Sequence, residues 1–489
     1  MNYRMILSTI GRILQLEGAL MLIPMAVALI YGEETFAVFI ITVGIALFIG
    51  SILKYSFKPN DKIIYAKEGM VIVAFAWILM SAFGALPFYL SREIPSYIDA
   101  FFETVSGFTT TGASIITDLS TLSKGMLFWR SFTHWIGGMG VIVLIMAIFP
   151  TDSGRSMHIM RAEMPGPIVG KLVPKVKDTA KILYLIYIVL TLIETVLLVV
   201  GDMGLYDSIV HSLATAGTGG FGIKPDSLGS YSPYSQWVVT VFMLLFGINF
   251  NLYFLILIGR IKNVLQSEEL WVYVGIVIIS VFSITINVSG IYGSFSETFR
   301  HSAFQVASII TTTGYATTDF NLWPTFSKMI LFLLMLIGGC AGSTAGGFKI
   351  SRVVIMVKMM INNLKKFVHP RYVDSVKFEG RSIDNSTRKS IHSYLTVYTL
   401  IMLGVMLLIS FDSFDFETCV SAAVSCFNNI GPAFSVAGPM GGYAGFSAFS
   451  KLVLSFAMLL GRLELYPILI LLLPATWTRK RVRIASDED

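Results

Sequence analysis

Apolar runs recur along the whole chain, many of them near the roughly 20 residues a helix needs to cross a bilayer, and short polar connections separate them. The first run opens behind Arg4 and Arg12, and a second follows at once over 35–57. Ala26-Val27-Ala28 resembles a signal-peptide cleavage site, but the run is long for a signal peptide, so the pair reads as a retained helical hairpin. A pattern then recurs four times: an apolar helix, a shorter segment with an acidic start, a Gly/Thr-rich turn and a second apolar helix. The first repeat predicts a helix over 69–90, a half-helix over 97–107, the turn Thr109-Thr110-Thr111-Gly112-Ala113-Ser114 and a helix over 126–149. The second predicts a helix over 182–200, a half-helix after Tyr206, the turn Thr218-Gly219-Gly220-Phe221 and a helix over 234–258. The third predicts a helix over 270–288, a half-helix after Glu297, the turn Thr311-Thr312-Thr313-Gly314-Tyr315 and a helix from near Pro324. The fourth predicts a helix over 392–409, a half-helix after Glu417, the turn Asn428-Asn429-Ile430-Gly431-Pro432 and a helix over 449–473.

The expected fold is therefore an all-α integral membrane protein: a two-helix hairpin (1–66) and four helix–pore loop–helix repeats (67–155, 156–264, 265–389 and 390–489). Basic residues test the orientation. They crowd the N-terminus, the segments 54–67, 155–181 and 349–389, Arg260 with Lys262, and the tail 479–483, which are the connections between repeats and the two ends. Both termini are expected in the cytoplasm, with all four turns entering from outside. Repeats of one orientation imply pseudo-four-fold symmetry about an axis along the membrane normal, not the inverted repeats of many secondary transporters.

Composition agrees. Of 489 residues, 55% are hydrophobic and 13% charged, with a mean hydropathy of +0.73; a soluble domain carries roughly 25% charged residues. The formal net charge of +6 would suit nucleic acid, but the basic residues sit in the connections, so it is read as topology. Cys340, Cys419 and Cys426 have neither metal-ligand spacing nor a disulfide framework and read as small buried residues. No nucleophile–base pair stands out. Gly217 to Gly222 fits a dinucleotide fingerprint without the βαβ unit it requires, and Gly342 to Lys349 only approaches a phosphate-binding loop. An enzyme is not expected, nor an organic cofactor.

The turns carry the chemistry. Irregular backbone at membrane depth survives only where protein buries it or a water-filled cavity receives it. Carbonyl oxygens can there replace the hydration shell of a cation, glycine permits the dihedrals that aim them inward, and the half-helix ends its negative dipole at the same place. The candidate filter residues are Thr110, Thr111, Gly112; Thr218, Gly219, Gly220; Thr312, Thr313, Gly314; and Asn429, Ile430, Gly431. Asp118, Asp226 and Asp319 follow three of the turns and read equally as helix caps or as acids concentrating cations at the outer mouth. Asp99, Asp207, Glu297 and Glu417, before the half-helices, read more readily as caps.

Below the third turn, Gly338-Gly339-Cys340-Ala341-Gly342-Ser343-Thr344-Ala345-Gly346-Gly347 is too rich in glycine to stay helical. Gly338, Gly339, Gly342, Ser343, Thr344, Gly346 and Gly347 are expected to form a gating loop in place of a small-residue packing motif. Arg462, inside the last apolar run, is expected to meet that loop's carbonyls and to oppose cation passage. A salt bridge to Glu464 is disfavoured, since residues two apart face different sides of a helix.

With its four glycine turns, Trp135-Ile136-Gly137-Gly138-Met139-Gly140, the Gly338 to Lys349 loop and Gly461-Arg462, the chain resembles, over essentially its whole length, the Trk/Ktr/HKT potassium transporters, most closely the TrkH subunits. The resemblance implies one filter glycine per repeat (Gly112, Gly220, Gly314 and Gly431), an intramembrane gate of the loop and Arg462, a homodimer, and a cytosolic ring of nucleotide-binding subunits of the TrkA type. It also implies gated potassium uptake across a bacterial inner membrane, with rubidium also permeant and ammonium not excluded. An ion-coupled symporter is the alternative, for which Glu17, Glu194 and Glu464 are the few candidate relay carboxylates. The filter departs from that of tetrameric channels in committing one glycine per turn, and the fourth turn lacks threonine. Lys365, Lys366 and Arg371 on the long polar connection could face the partner or anionic lipid.

Overall fold

A computed structural model describes residues 1–58, 66–140, 176–370 and 375–477. The end of the expected 126–149 helix, most of the basic segment 155–181, Arg371 and the tail 479–483 lie outside these residues. Among them the chain is mostly helical, with a single two-stranded hairpin, β1 (Lys377–Phe378) against β2 (Arg381–Ser382), in the polar connection.

The chain opens with α1 (Tyr3–Leu20), continued by α2 (Leu22–Ile30), and returns as α3 (Thr35–Ser56). Glycines set how closely α1 and α3 approach. A Cβ on Gly11 would lie 2.6 Å from the Gly50 carbonyl oxygen, and one on Gly50 would lie 2.7 Å from that of Gly11. Such small-residue contacts let helix backbones touch where lipid supplies no hydrophobic drive.

Next come α4 (Ala66–Gly84), α5 (Leu86–Leu90), the half-helix α6 (Tyr97–Phe108) and α7 (Lys124–Gly138). The order repeats as α8 (Val176–Val200), half-helix α9 (Leu205–Gly217), α10 (Pro233–Phe246) and α11 (Phe250–Leu257). After α12 (Ile261–Leu265) it repeats again as α13 (Glu268–Asn287), half-helix α14 (Phe295–Ile310), α15 (Thr325–Ile337) and α16 (Ile350–Val368). It ends with α17 (Asn385–Ile409), half-helix α18 (Phe416–Phe427), α19 (Ala448–Arg462), α20 (Tyr466–Leu472) and α21 (Pro474–Trp477). Among the described residues six helices are long and apolar enough to cross a membrane, and the bent pair α10–α11 would make a seventh. The half-helices are nearly encased: every residue from Ser208 to Gly217 except Ile209 is buried, and so is every residue from His301 to Ile310.

Two helices expected to be continuous are broken. The 234–258 helix bends by 91° between α10 and α11, where Asn249 accepts from the Asn251 amide and starts a new helix. The 449–473 helix stops at Arg462 and restarts at Tyr466; Pro467 cannot bond back across the gap, and Glu464 and Leu465 both have positive φ. Arg462 is thus the last residue of a helix, not an interior one. The acids before the half-helices are also not the caps. Ser96, Ser294 and Asp415 accept the first-turn amides, and Asp99, Asp207, Glu297 and Glu417 lie within the first turn, where they face the positive dipole end.

Candidate functional site

Each half-helix ends in the same way. The amide of a residue with left-handed backbone bonds three residues back, and the next amide bonds five residues back: Thr110 to Gly107 and Thr111 to Ser106; Thr218 to Thr215 and Gly219 to Ala214. Thr312 to Ile309 and Thr313 to Ser308, then Asn429 to Cys426 and Ile430 to Ser425, repeat it. This is the Schellman closure, which normally places glycine at the left-handed position. Here that position holds Thr110 (φ 56°), Thr218 (55°), Thr312 (55°) and Asn429 (58°). Asparagine tolerates the conformation, whereas β-branched threonine is strained in it. Two residues on, Gly112, Gly220, Gly314 and Gly431 turn the chain a second time, with φ from 73° to 103°.

The four turns meet in cyclic order. A Cβ on Gly112 would lie 2.0 Å from the Gly219 carbonyl oxygen, and one on Gly220 would lie 2.0 Å from that of Thr313. On Gly314 it would lie 2.1 Å from the Ile430 oxygen, and on Gly431 2.6 Å from the Thr111 oxygen, which closes the circle. All four glycines line one cavity of about 150 Å³. The only side-chain atom that fits at these positions is hydrogen.

The loop between α15 and α16 packs behind turns three and four. The Gly346 amide donates to the Thr312 hydroxyl at 2.6 Å, and the Gly347 amide to the Asn428 carbonyl at 3.1 Å. Gly338, Gly342 and Gly347 all have positive φ. Gly339 lies against Ala345, the Ser343 hydroxyl bonds the Cys340 carbonyl, and the Thr344 hydroxyl bonds that of Phe246. Arg462 donates to the Thr344 carbonyl at 2.9 Å and to the Gly137 and Gly138 carbonyls at 2.5 and 2.7 Å. The expected meeting of Arg462 with the loop is therefore present, and it extends to the end of α7.

A family model for TrkH, described as a cation transport protein, matches residues 36–477. Over 483 residues the chain is 35% identical to the Trk system potassium uptake protein TrkH of Escherichia coli K12, covering 98% of this chain and 100% of that one. The chain belongs to the TrkH family. It is also 34% identical over 485 residues to the Trk system potassium uptake protein TrkG of the same organism, covering 97% and 99% of the two chains. The crystal structure of the potassium transporter TrkH from Vibrio parahaemolyticus superposes with a TM-score of 0.88 at 32% identity, covering 98% of this chain and 100% of that one. With its apolar spans, this TrkH-family chain is a multi-pass membrane protein.

The three acids after the turns are not brought into the cavity. Asp118 and Asp319 each cap a short 3-10 turn, accepting from the Ser120 and Asn321 amides, and the Asp226 carbonyl accepts from the Gly229 amide. The bonds from Ser120 hold the exposed Asp118 carboxyl below its ordinary range. Arg130 and Lys224 are the charged groups on the cavity wall. The mouth-acid expectation therefore finds no carboxylate among the described lining.

Several residues around the ring escaped sequence reasoning. Arg130 is buried and donates through Nε to Glu103 at 2.8 Å, through one terminal nitrogen to the Gly222 carbonyl and through the other to the Ser114 hydroxyl. Glu103 also accepts from the Ile115 amide, so one ion pair ties the half-helix to the segments leaving turns one and two. An acid in the middle of an apolar half-helix was a legible signal. His134 Nδ1 donates to the Gly107 carbonyl at 2.7 Å and its ring backs Gly219. The Asn429 amide donates to the Thr111 hydroxyl and the Met458 carbonyl, linking turn four to turn one. Lys349, buried with positive φ, donates to the Ala345 carbonyl, and Glu269 accepts from the Ala341 and Ser351 amides, clamping both sides of the loop.

Proposed function

We propose that this chain is a gated pore for potassium uptake across a bacterial inner membrane, in which the ring of turn carbonyls strips and replaces the hydration shell of the ion. The ion is the transported substrate, and rubidium, of similar size, passes as well. The observation that carries the reading is the cyclic contact of Gly112, Gly220, Gly314 and Gly431 with the carbonyl of the next turn. Four inward-facing carbonyls from Thr111, Gly219, Thr313 and Ile430, at the negative ends of four half-helices, suit a dehydrated cation and repel anions. Thr110, Thr218, Thr312 and Asn429 hold the backbone that aims them. The potassium named for the relatives supports the choice of ion.

In this reading, 67–155, 156–264, 265–389 and 390–489 are four parallel repeats around the pore, 1–66 is a flanking hairpin, and both termini are cytoplasmic. The loop and Arg462 form a barrier beneath the ring: a guanidinium bound to three carbonyls places fixed positive charge below the filter. The chain works as a homodimer in lipid, with a cytosolic TrkA-like nucleotide-binding ring opening the barrier from the side of the polar connection.

Rubidium tracer uptake into proteoliposomes of the full chain tests this. Uptake should be inhibited by potassium and hardly by sodium, should lose that preference in Gly314→Ser, and should rise in Arg462→Ala. Equal competition by sodium in the wild type would end the filter reading. A second reading, proton-coupled symport, draws on Glu17, which is fully buried with both carboxylate oxygens unpartnered among the described residues. Uptake that requires a pH gradient and is lost in Glu17→Gln would favour it.

A further inference from the structure

The barrier has two halves in different parts of the chain, the loop ahead of α16 and Arg462 at the end of α19. One ion pair joins them. Arg352, in the first turn of α16, donates to Glu464 Oε2 at 2.7 Å. Arg352 follows Lys349, the last loop residue, by three positions, and Glu464 follows Arg462 by two. The Arg352 side chain is 6% exposed and that of Glu464 is 23% exposed.

The backbone between α19 and α20 is the second observation. Glu464 has φ 52° and Leu465 has φ 68° with ψ −55°. Backbone bonds shape the kink: the Glu464 amide bonds the Gly461 carbonyl and the Leu465 amide that of Leu460, the closure seen in the four turns, and the Tyr466 amide bonds the Glu464 carbonyl across a γ-turn, but both left-handed positions hold L-residues, one of them a leucine. Strain of this kind persists only where the surroundings impose it, and it clusters at switch regions. To these backbone bonds the Glu464 side chain adds a charge-assisted bond to Arg352. Arg352 is in turn oriented by its bond to the Phe348 carbonyl and by the Tyr394 ring, 4.1 Å from the guanidinium carbon. Beside the pair lies a cavity of about 350 Å³, walled by Arg352, Glu464, Ser386, Thr387, Ser390 and Tyr394, which leaves room for the two side chains to part.

We propose that Arg352 and Glu464 are positioning residues of the barrier: their ion pair holds the kink at 464–465 in its strained form, and the kink holds Arg462 on the loop carbonyls. Separation of the pair relaxes the kink and lifts Arg462 from Thr344. This rests on the reading of Arg462 and the loop as the barrier. It adds that the two halves open together because one bond joins them.

The test is rubidium uptake by the full chain in proteoliposomes, with Arg462→Ala run in parallel. Glu464→Gln and Arg352→Gln should each raise uptake on the order of fivefold or more, the size of an ordinary coupling between two sites. Potassium-over-sodium competition should stay as in the wild type, which separates loss of positioning from general loosening of the ring. The exchanged pair Arg352→Glu with Glu464→Arg should bring uptake back down. If Arg462→Ala raises uptake while neither glutamine variant does, the inference is wrong and the barrier reading stands; if Arg462→Ala also fails to raise it, both fall. An exchanged pair as leaky as the single variants overturns the pairing. Should those variants fold poorly, Arg352→Cys with Glu464→Cys serves instead, since Cys340, Cys419 and Cys426 are buried. Uptake low when oxidised and high after reduction supports the proposal, and equal uptake in both states refutes it.

Discussion

Threonine at three of the four left-handed positions is the costly choice, because its branched Cβ crowds the backbone there; such conformations cost on the order of 1–3 kcal/mol each. Two of the three hydroxyls show what is gained. Thr312 receives the Gly346 amide from the loop, and the Thr218 hydroxyl bonds the Gly217 carbonyl. Asn429 fits the conformation with less strain and uses its amide to reach turn one. Replacing it with alanine removes two hydrogen bonds worth about 1 kcal/mol each. Asn429→Ala should therefore blunt the preference for potassium over sodium in competition uptake while leaving a folded protein. The Arg130–Glu103 pair should respond more severely. Glu103→Gln leaves a buried guanidinium uncompensated, which costs about 3–5 kcal/mol, whereas Arg130→Met with Glu103→Met removes both charges. Thermal unfolding in detergent should place the double variant closer to the wild type than Glu103→Gln.

Among the elements, the broken helices answer one another. The Cys340 amide donates to the Gly247 carbonyl, the Phe250 amide to the Gly342 carbonyl, and Arg462 to Thr344, so the breaks after α10, α15 and α19 supply each other's missing partners. Broken backbone inside a membrane protein must find such partners, because lipid offers none. The half-helices follow the same rule at their buried ends through the Schellman closure. The α1–α3 crossing is separate from this machinery. Gly50→Leu drives a side chain into the Gly11 carbonyl and should destabilise by about 1–3 kcal/mol, read as a lower melting temperature. Rubidium uptake by the folded fraction should keep its cation preference, since the crossing does not touch the ring.

For the whole molecule, the positions of the basic residues predict the orientation of the chain. Single cysteines at Lys262 and Lys389 should react with an impermeant maleimide only from the cytoplasmic face, and one at Ser120 only from outside. All three positions are exposed and the native cysteines are buried, so labelling reports topology directly. Labelling of Ser120→Cys and Lys389→Cys from one face would invert the topology of a repeat. In the proposed pore, with Arg130 and Lys224 the charged groups on the cavity wall, attraction of cations falls to the carbonyl ring and the half-helix dipoles.

The apolar helices, the turns and the loop were legible because each depends on local features. Twenty apolar residues, an acidic first turn, or a cluster of glycines constrain the nearby backbone whatever surrounds them. Arg462 was legible as well, since a charge in an apolar run must find carbonyls or a partner. The breaks after α10 and α19, the Arg130–Glu103 and Arg352–Glu464 pairs, and the place of His134, Lys349 and Glu269 were not. Arg352 reaches Glu464 across 112 residues, and Glu269 reaches Ala341 and Ser351 across 72 and 82, and no local pattern encodes which distant group arrives. The cyclic order of the four glycines had the same origin: the turns specified the dihedrals, but only packing of the half-helices brought each glycine against the next carbonyl.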